Sequence, residues 1–205
     1  MLNGDLKELT FKDVSEESEQ FIQDAIIRGE QIEGRMLHSF GFSNVVFERC
    51  IFVDCEFSKL ELIDVTFKHC DLSNCKLEDG YFYRTHFLNC KLVGTKFTHT
   101  RIQQCNFDQC YGNYASFAEG QLDNTSFNHC TLNGADFFHI RQDKVYFSRC
   151  ELDAANFEET KLAGLDLSSS TFDEIYLDLS NVKGLKIAPN QAPVIAAMMG
   201  IKIAD

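Results

Sequence analysis

Nine cysteines and six histidines are the residues of this 205-residue chain with the widest chemical reach. A thiolate can attack carbon, hold a metal or close a disulfide, and an imidazole can act as its base or as a second ligand. His69-Cys70 and His129-Cys130 even place the two types side by side. Their spacing argues against all of these uses. Cys50, Cys55, Cys70, Cys75, Cys90, Cys105, Cys110, Cys130 and Cys150 all fall in one phase of a five-residue repeat. If that phase points inward, the histidine phase next to it points outward. A zinc site needs four ligands converging at about 2.0–2.3 Å, and a nucleophile needs its base within hydrogen-bond reach; the alternation denies both. An odd number of small inward residues is expected to be a set of buried free thiols in a reducing, cytoplasmic compartment rather than a disulfide framework. No glycine-rich phosphate loop, Ser-His-Asp set or catalytic carboxylate pair stands out, so no enzyme, metal or cofactor is expected.

The elements that would hold these residues follow from the same phase. Two places after each multiple of five stands a large apolar residue: Phe42, Phe47, Phe52, Phe57, Leu62, Phe67, Leu72, Leu77, Phe82, Phe87 and so on to Ile187, with defects only at Gly112 and Gln142. A period of five fits neither a helix nor an ordinary strand. It fits a chain that turns a corner every five residues and sends the same two positions inward on each side. The position two after the bulky one holds Asn44, Asp54, Asp64, Asn74, Asp79, Asn89, Gly94, Asn124, Gly134 and Gly164, residue types suited to corners. Cys50, Cys70, Cys90, Cys110, Cys130 and Cys150 recur every twenty residues, as do Phe47, Phe67, Phe87, Phe107, Phe127 and Phe147. Four pentapeptides therefore make one coil, and the expected fold is a four-sided β-solenoid. About eight coils, about 4.8 Å apart, would stand about 38 Å tall.

Cys105-Asn106-Phe107, Ala135-Asp136-Phe137 and Ala155-Asn156-Phe157 resemble the Ala-Asp/Asn-Leu-x-x consensus of the pentapeptide-repeat family. The resemblance implies an all-β solenoid, a right-handed quadrilateral β-helix. The expected organisation is a cap segment over 1–26, the β-helix over 27–187 and a helix-and-tail segment over 188–205. Ser15, followed by Glu16, Glu17 and Glu19 ahead of Phe21, Ile22, Ala25 and Ile26, suggests a short N-terminal helical cap. After Ala188-Pro189, Asn190 is placed to cap a short helix carrying Pro193 in its first turn and stopping at Gly200. Val194, Ile195, Ala197, Met198 and Met199, with Ile201 and Ile203 beyond, make that segment apolar nearly all round. It either plugs its own solenoid or packs on a partner. No apolar run is long enough to span a membrane, and the start of the chain lacks a signal-peptide pattern.

The stretch Gly184-Leu185-Lys186-Ile187, followed by a short helix ending at Gly200-Ile201, is similar to the Qnr-type quinolone-resistance branch of that family. That likeness implies a homodimer joined end to end through the C-terminal segment, with Val194, Ile195, Met198, Met199 and Ile201 at the junction. It also implies that the protein occupies the place of DNA on DNA gyrase or topoisomerase IV and shields the enzyme from quinolones. The net charge of −12 suits such a mimic and disfavours nucleic-acid binding. From Glu151 to Ser180 the only base is Lys161, and Asp153, Glu158, Glu159, Asp173, Glu174 and Asp178 fall into outward columns. A dimer about 80 Å long would carry about 0.3 charges per Å, half the value for duplex DNA, so shape must contribute too. The unbroken register from Phe42 to Ile187 leaves no room for the protruding loops that some Qnr proteins carry. Two alternatives stay open: a scaffold for another protein, and a plain acidic surface. Tyr111 and Tyr114, flanking the Gly112 defect, are either part of a local repacking that fills the gap or a displaced surface that a partner reads. Gln142 beside Arg141 poses the same choice.

Overall fold

The chain turns a corner every five residues because, from Asp24 to Gly164, the fourth residue after each multiple of five takes a left-handed backbone conformation. The non-glycine corners, from Asp24 to Glu159, have φ between +47° and +59°. All ten corner residues singled out by type, from Asn44 to Gly164, are among the positive-φ positions. Residues as ill-suited as Arg49, Tyr114 and Ala154 adopt the same conformation, so the repeat imposes it where the side chain does not favour it. The computed structural model describes residues 6–13 and 21–202. It is a β-solenoid of about eight turns ending in one short helix, α1 (Ala192–Met198).

Successive coils pair in parallel at an offset of twenty residues, as in Tyr81↔Arg101, Phe87↔Phe107 and Lys76↔Glu56. Four faces result. The first is centred on Leu62, Phe82, Ile102 and Leu122, and the second on Phe47, Phe67, Phe87 and Phe107. Eight-residue strands such as Gly41–Glu48 and Gln121–Asn128 run round the corner between these two and join them into an eleven-stranded sheet. The third and fourth faces are built largely of β-turns and single bridges.

The core is two ladders of phenylalanine. On the second face neighbouring rings from Phe47 to Phe147 lie parallel at 4.7–5.0 Å. On the fourth, Phe97, Phe117, Phe137 and Phe157 stack at 4.9–5.1 Å. Between ladders the rings meet edge to face, as in Phe107–Phe117 at 5.6 Å and Phe117–Phe127 at 5.3 Å. Both arrangements are favourable geometries for aromatic quadrupoles.

The cysteine column answers a hydrogen-bonding problem. The carbonyls of the second-face phenylalanines are left over by the coil-to-coil ladder, and a buried acceptor without a donor costs free energy. Cys70 Sγ donates to Phe47 O at 3.3 Å, Cys110 to Phe87 O at 3.3 Å and Cys130 to Phe107 O at 3.3 Å. Threonine performs the same task elsewhere, and better. Thr160 Oγ1 donates to Phe137 O at 2.8 Å and accepts from Ile140 N at 3.0 Å. All nine cysteines are free and buried. Burial pushes the Cys105 thiol up to about 12. His69 and His129 stand at exposed corners, and no three His, Cys, Asp or Glu side chains among the described residues converge as a metal site.

The N-terminal expectation needs correction. Phe21–Arg28 is a strand paired with Gly41–Glu48, not a helix. Ile22, Ala25 and Ile27 already carry the inward phase, and tertiary pairing outweighs the local helix signal of the preceding acids. Ser15, Glu16, Glu17 and Glu19 lie outside the described residues. Lys7–Glu8 pairs along the edge of this strand, and the Phe11 ring is buried edge-on against Phe52 at 6.2 Å.

Truncating one ring in a ladder removes contacts above, below and across. Phe107→Ala is expected to lower stability by about 3–5 kcal/mol, measured by urea unfolding. In the native protein none of the nine thiols should react with a thiol reagent until the coil opens.

Candidate functional site

In the first coils, charges on adjacent coils neutralise each other. Arg28 pairs with Glu48 at 3.0 Å, Arg84 with Asp64 at 2.5 Å and Lys91 with Asp71 at 3.5 Å, each twenty residues apart. The pattern returns near the C-terminal end, where Lys186 pairs with Asp166 at 2.6 Å and helps hold that carboxyl down at about 2. Among the described residues no such coil-to-coil pair with lysine or arginine lies between Lys91 and Asp166. Among the described residues Glu151, Asp153, Glu158, Glu159, Asp173, Glu174 and Asp178 make no ion pair with lysine or arginine.

Several of these acids have main-chain work that sequence reading missed. On the third face Asn113 Oδ1 accepts from Asn133 N, and Asn133 Oδ1 from Asp153 N, both at 3.0 Å. Asp153 continues the column: its Oδ1 accepts from Asp173 N at 3.0 Å and Glu174 N at 2.8 Å. Asp178 Oδ2 accepts from Glu159 N at 2.7 Å. Glu159 Oε2 lies 3.1 Å from His139 Nδ1, and the Tyr176 hydroxyl donates to Glu174 at 2.7 Å, which raises the phenol's pKa. The Asn-Asn-Asp-Asp series at twenty-residue spacing was the available signal for this column. The structure thus gathers Asp153, Asp173 and Glu174 on the third face and links Glu159 to Asp178 at the fourth.

Tyr111 and Tyr114 extend this surface. Tyr111 is 59% and Tyr114 71% exposed, and the bridges Tyr111↔Thr131↔Glu151 place Tyr111 on the third face, two coils from the acids. Neither ring fills the gap at Gly112. Leu132 of the next coil does: a Cβ on Gly112 would stand 2.9 Å from its Cδ2. The Tyr114 ring lies over Gly134 instead. Gln142 is half-buried, and its amide donates to Lys161 O and Ala163 O, each at 3.1 Å, across the point where the first-face sheet ends.

The C-terminal segment closes the rod. Pro189–Gln191 forms a 3₁₀ turn, so Asn190 does not cap the helix; the residue before α1 is Gln191. Gln191 is buried and its amide donates to Leu167 O at 3.1 Å and Ser170 O at 2.7 Å, while its oxygen accepts from Ala188 N at 2.7 Å. This side chain caps carbonyls at the end of the coil stack. Val194, Ile195 and Met198 pack against the core, whereas Met199 and Ile201 are exposed. Gly200, at φ +75°, ends the helix as expected: Gly200 N donates to Ala197 O and Ile201 N to Ala196 O, a Schellman closure.

A solenoid with a filled core and a patterned outer surface defines a repeat protein whose faces carry its outward side chains. A model of the pentapeptide repeat region matches residues 60–137 and, overlapping them, 80–157. Together with the unbroken five-residue register, the match marks residues 60–157 as a pentapeptide-repeat region. The fold of the chain is similar to that of a trypsin-treated QnrB1 variant, a plasmid-mediated fluoroquinolone resistance protein. The identity is 21% and the TM-score 0.55, over 88% of this chain and 99% of that one. HetL, a pentapeptide-repeat protein involved in heterocyst differentiation regulation in the cyanobacterium Nostoc sp. strain PCC 7120, aligns at 15% identity and TM-score 0.46, over 87% of this chain and 88% of HetL. No curated protein sequence matches the chain.

If Gln191 closes the coil stack, Gln191→Ala should cost about 1–3 kcal/mol or more from unsatisfied buried groups. Amide exchange should then quicken in residues 161–187 and stay unchanged in the central coils.

Proposed function

We propose that this protein binds a type II topoisomerase, DNA gyrase or topoisomerase IV, in place of DNA and reduces poisoning of that enzyme by quinolones. The observation that carries the reading is the run of carboxylates without basic partners on two adjacent faces, set in a rod whose first coils pair acids with bases from coil to coil. Carboxylates whose oxygens accept main-chain N–H groups are fixed in direction, so a rigid array of negative charge meets the approaching enzyme. Complementary potential would speed encounter and orient docking. The fold likeness to QnrB1 supports the reading, as does the tail pattern that resembles the Qnr branch.

The same reading makes the protein a dimer. Val194, Ile195 and Met198 serve its own core, so the dimer contact falls to the outer residues Met199 and Ile201. Two rods joined there would bring both acidic regions near the centre of the assembly. Met199→Asp with Ile201→Asp is expected to give a monomer by sedimentation without lowering the melting temperature. A dimer that survives this change would move the junction elsewhere.

The functional test is gyrase supercoiling with ciprofloxacin as the protein is titrated in. Restored supercoiling is expected, with binding that weakens as salt rises. Asp153→Asn with Asp173→Asn, Glu158→Gln and Glu159→Gln keeps acceptor oxygens for the main chain and removes four charges; rescue should fall. Unchanged rescue would exclude the acidic columns, and no rescue at any concentration would favour a scaffold for another protein.

A further inference from the structure

The first face carries cations of a different standing. Its outer column runs Tyr81, Arg101, Gln121, Arg141, by register Tyr81↔Arg101↔Gln121↔Arg141. Lys161 follows one coil later, its carbonyl held by Gln142. Arg101, Arg141 and Lys161 are exposed and make no ion pair with an acid among the described residues. The acids beside them are engaged: Glu119 faces His99 at 3.4 Å, Asp123 accepts from Gln103 at 3.2 Å and Asp143 lies 3.7 Å from Lys144. His139, at the same edge as His99, is taken by Glu159. At the lower end of the column Tyr81 and Tyr83 stack at 6.3 Å, with Arg84 over Tyr83 at 4.1 Å and Arg101 over Tyr81 at 5.8 Å. These aligned cations without acidic partners stand beside a tyrosine–arginine platform on a chain of net charge −12, and Tyr and Arg are enriched among the residues that anchor protein interfaces.

We propose that this face is a second docking surface, and that its occupant is an acidic α-helix of a protein partner lying along the rod axis. The fit is one of repeat lengths. Coils rise by about 4.8 Å, so Arg101 and Arg141 stand about 9.6 Å apart and Lys161 about 4.8 Å further on. A helix rises about 1.5 Å per residue, which puts acids at positions i, i+7 and i+11 about 10.5 and 16.5 Å along its axis. The mismatch is about 1–2 Å, within the reach of flexible arginine and lysine stems. An apolar residue one turn before position i would fall on the Tyr81 ring. A nucleic-acid duplex suits the face less well, because its dense charge is repelled by the rest of the rod at long range. The surface is separate from the acidic columns, so its test does not depend on topoisomerase binding.

The probe is a labelled helical peptide of about three heptads with glutamates at i, i+7 and i+11, followed by fluorescence anisotropy. Its controls are a peptide of the same composition with the glutamates spread round the helix, and a short DNA duplex. The patterned peptide should bind the full-length protein more tightly than the spread one. Arg101→Glu with Arg141→Glu should weaken it at least about tenfold without changing the melting temperature. Asp153→Asn with Asp173→Asn should leave it no weaker. Equal binding of the two peptides, indifference to the arginine reversal, tighter binding of the duplex or no peptide binding at all would each overturn the proposal.

Discussion

Coil-to-coil hydrogen bonding sets a spacing near 4.8 Å, and nearly every other feature of this molecule depends on it. That spacing is slightly wider than the thickness of a stacked ring, which is why Phe47 through Phe147 can lie face to face on successive coils at 4.7–5.0 Å. It brings each inward Cys, Ser or Thr within reach of a carbonyl on the coil before, and each outward side chain within reach of its equivalent twenty residues away. A helix bundle offers no comparable identity between neighbouring layers. Here one substitution is felt by the same position above and below, so chemistry at any site is a property of a column rather than of a residue.

This column logic is also why so much was legible. Phase alone separated inward cysteines from outward histidines, placed the corners and located the acids. It failed wherever a residue departs from the phase or serves a purpose the phase does not encode. The acids ahead of Phe21–Arg28 carry a helix signal, yet Ile22, Ala25 and Ile27 are in the inward register and the segment pairs as a strand. Gln191 lies beyond the repeat, and glutamine carries no marker that distinguishes a buried cap from a surface residue; its three hydrogen bonds appear only in three dimensions. Gly112 announced a missing side chain, but which neighbour would fill it depended on the slack available to Leu132.

The two ends solve one problem by different means. A β-solenoid leaves open main-chain groups at its first and last coils, and such edges invite further strands. At the N-terminal side a paired strand and the Phe11 ring cover the stack. At the C-terminal side a glutamine amide takes the carbonyls and three apolar side chains of α1 cover the core. Once α1 has spent Val194, Ile195 and Met198 in this way, the apolar residues still facing outward are few, and any end-to-end contact must be built from that remainder.

Charge on the outside obeys the same column rule with opposite consequences along the rod. Where signs alternate from coil to coil, as in Arg28–Glu48–Lys68, attraction is satisfied internally and little field reaches a partner. Where one sign repeats, neighbouring side chains repel across the sheet. Asp153 and Asp178 offset part of that cost by accepting main-chain N–H groups. Such carboxylates are scaffold and surface at once. Replacing them with alanine would loosen the last coils and remove charge together, so loss of binding in an alanine variant could not be assigned to either. Amide replacements keep the acceptor and delete only the charge, and for that reason the electrostatic role of this surface is separable from its architecture.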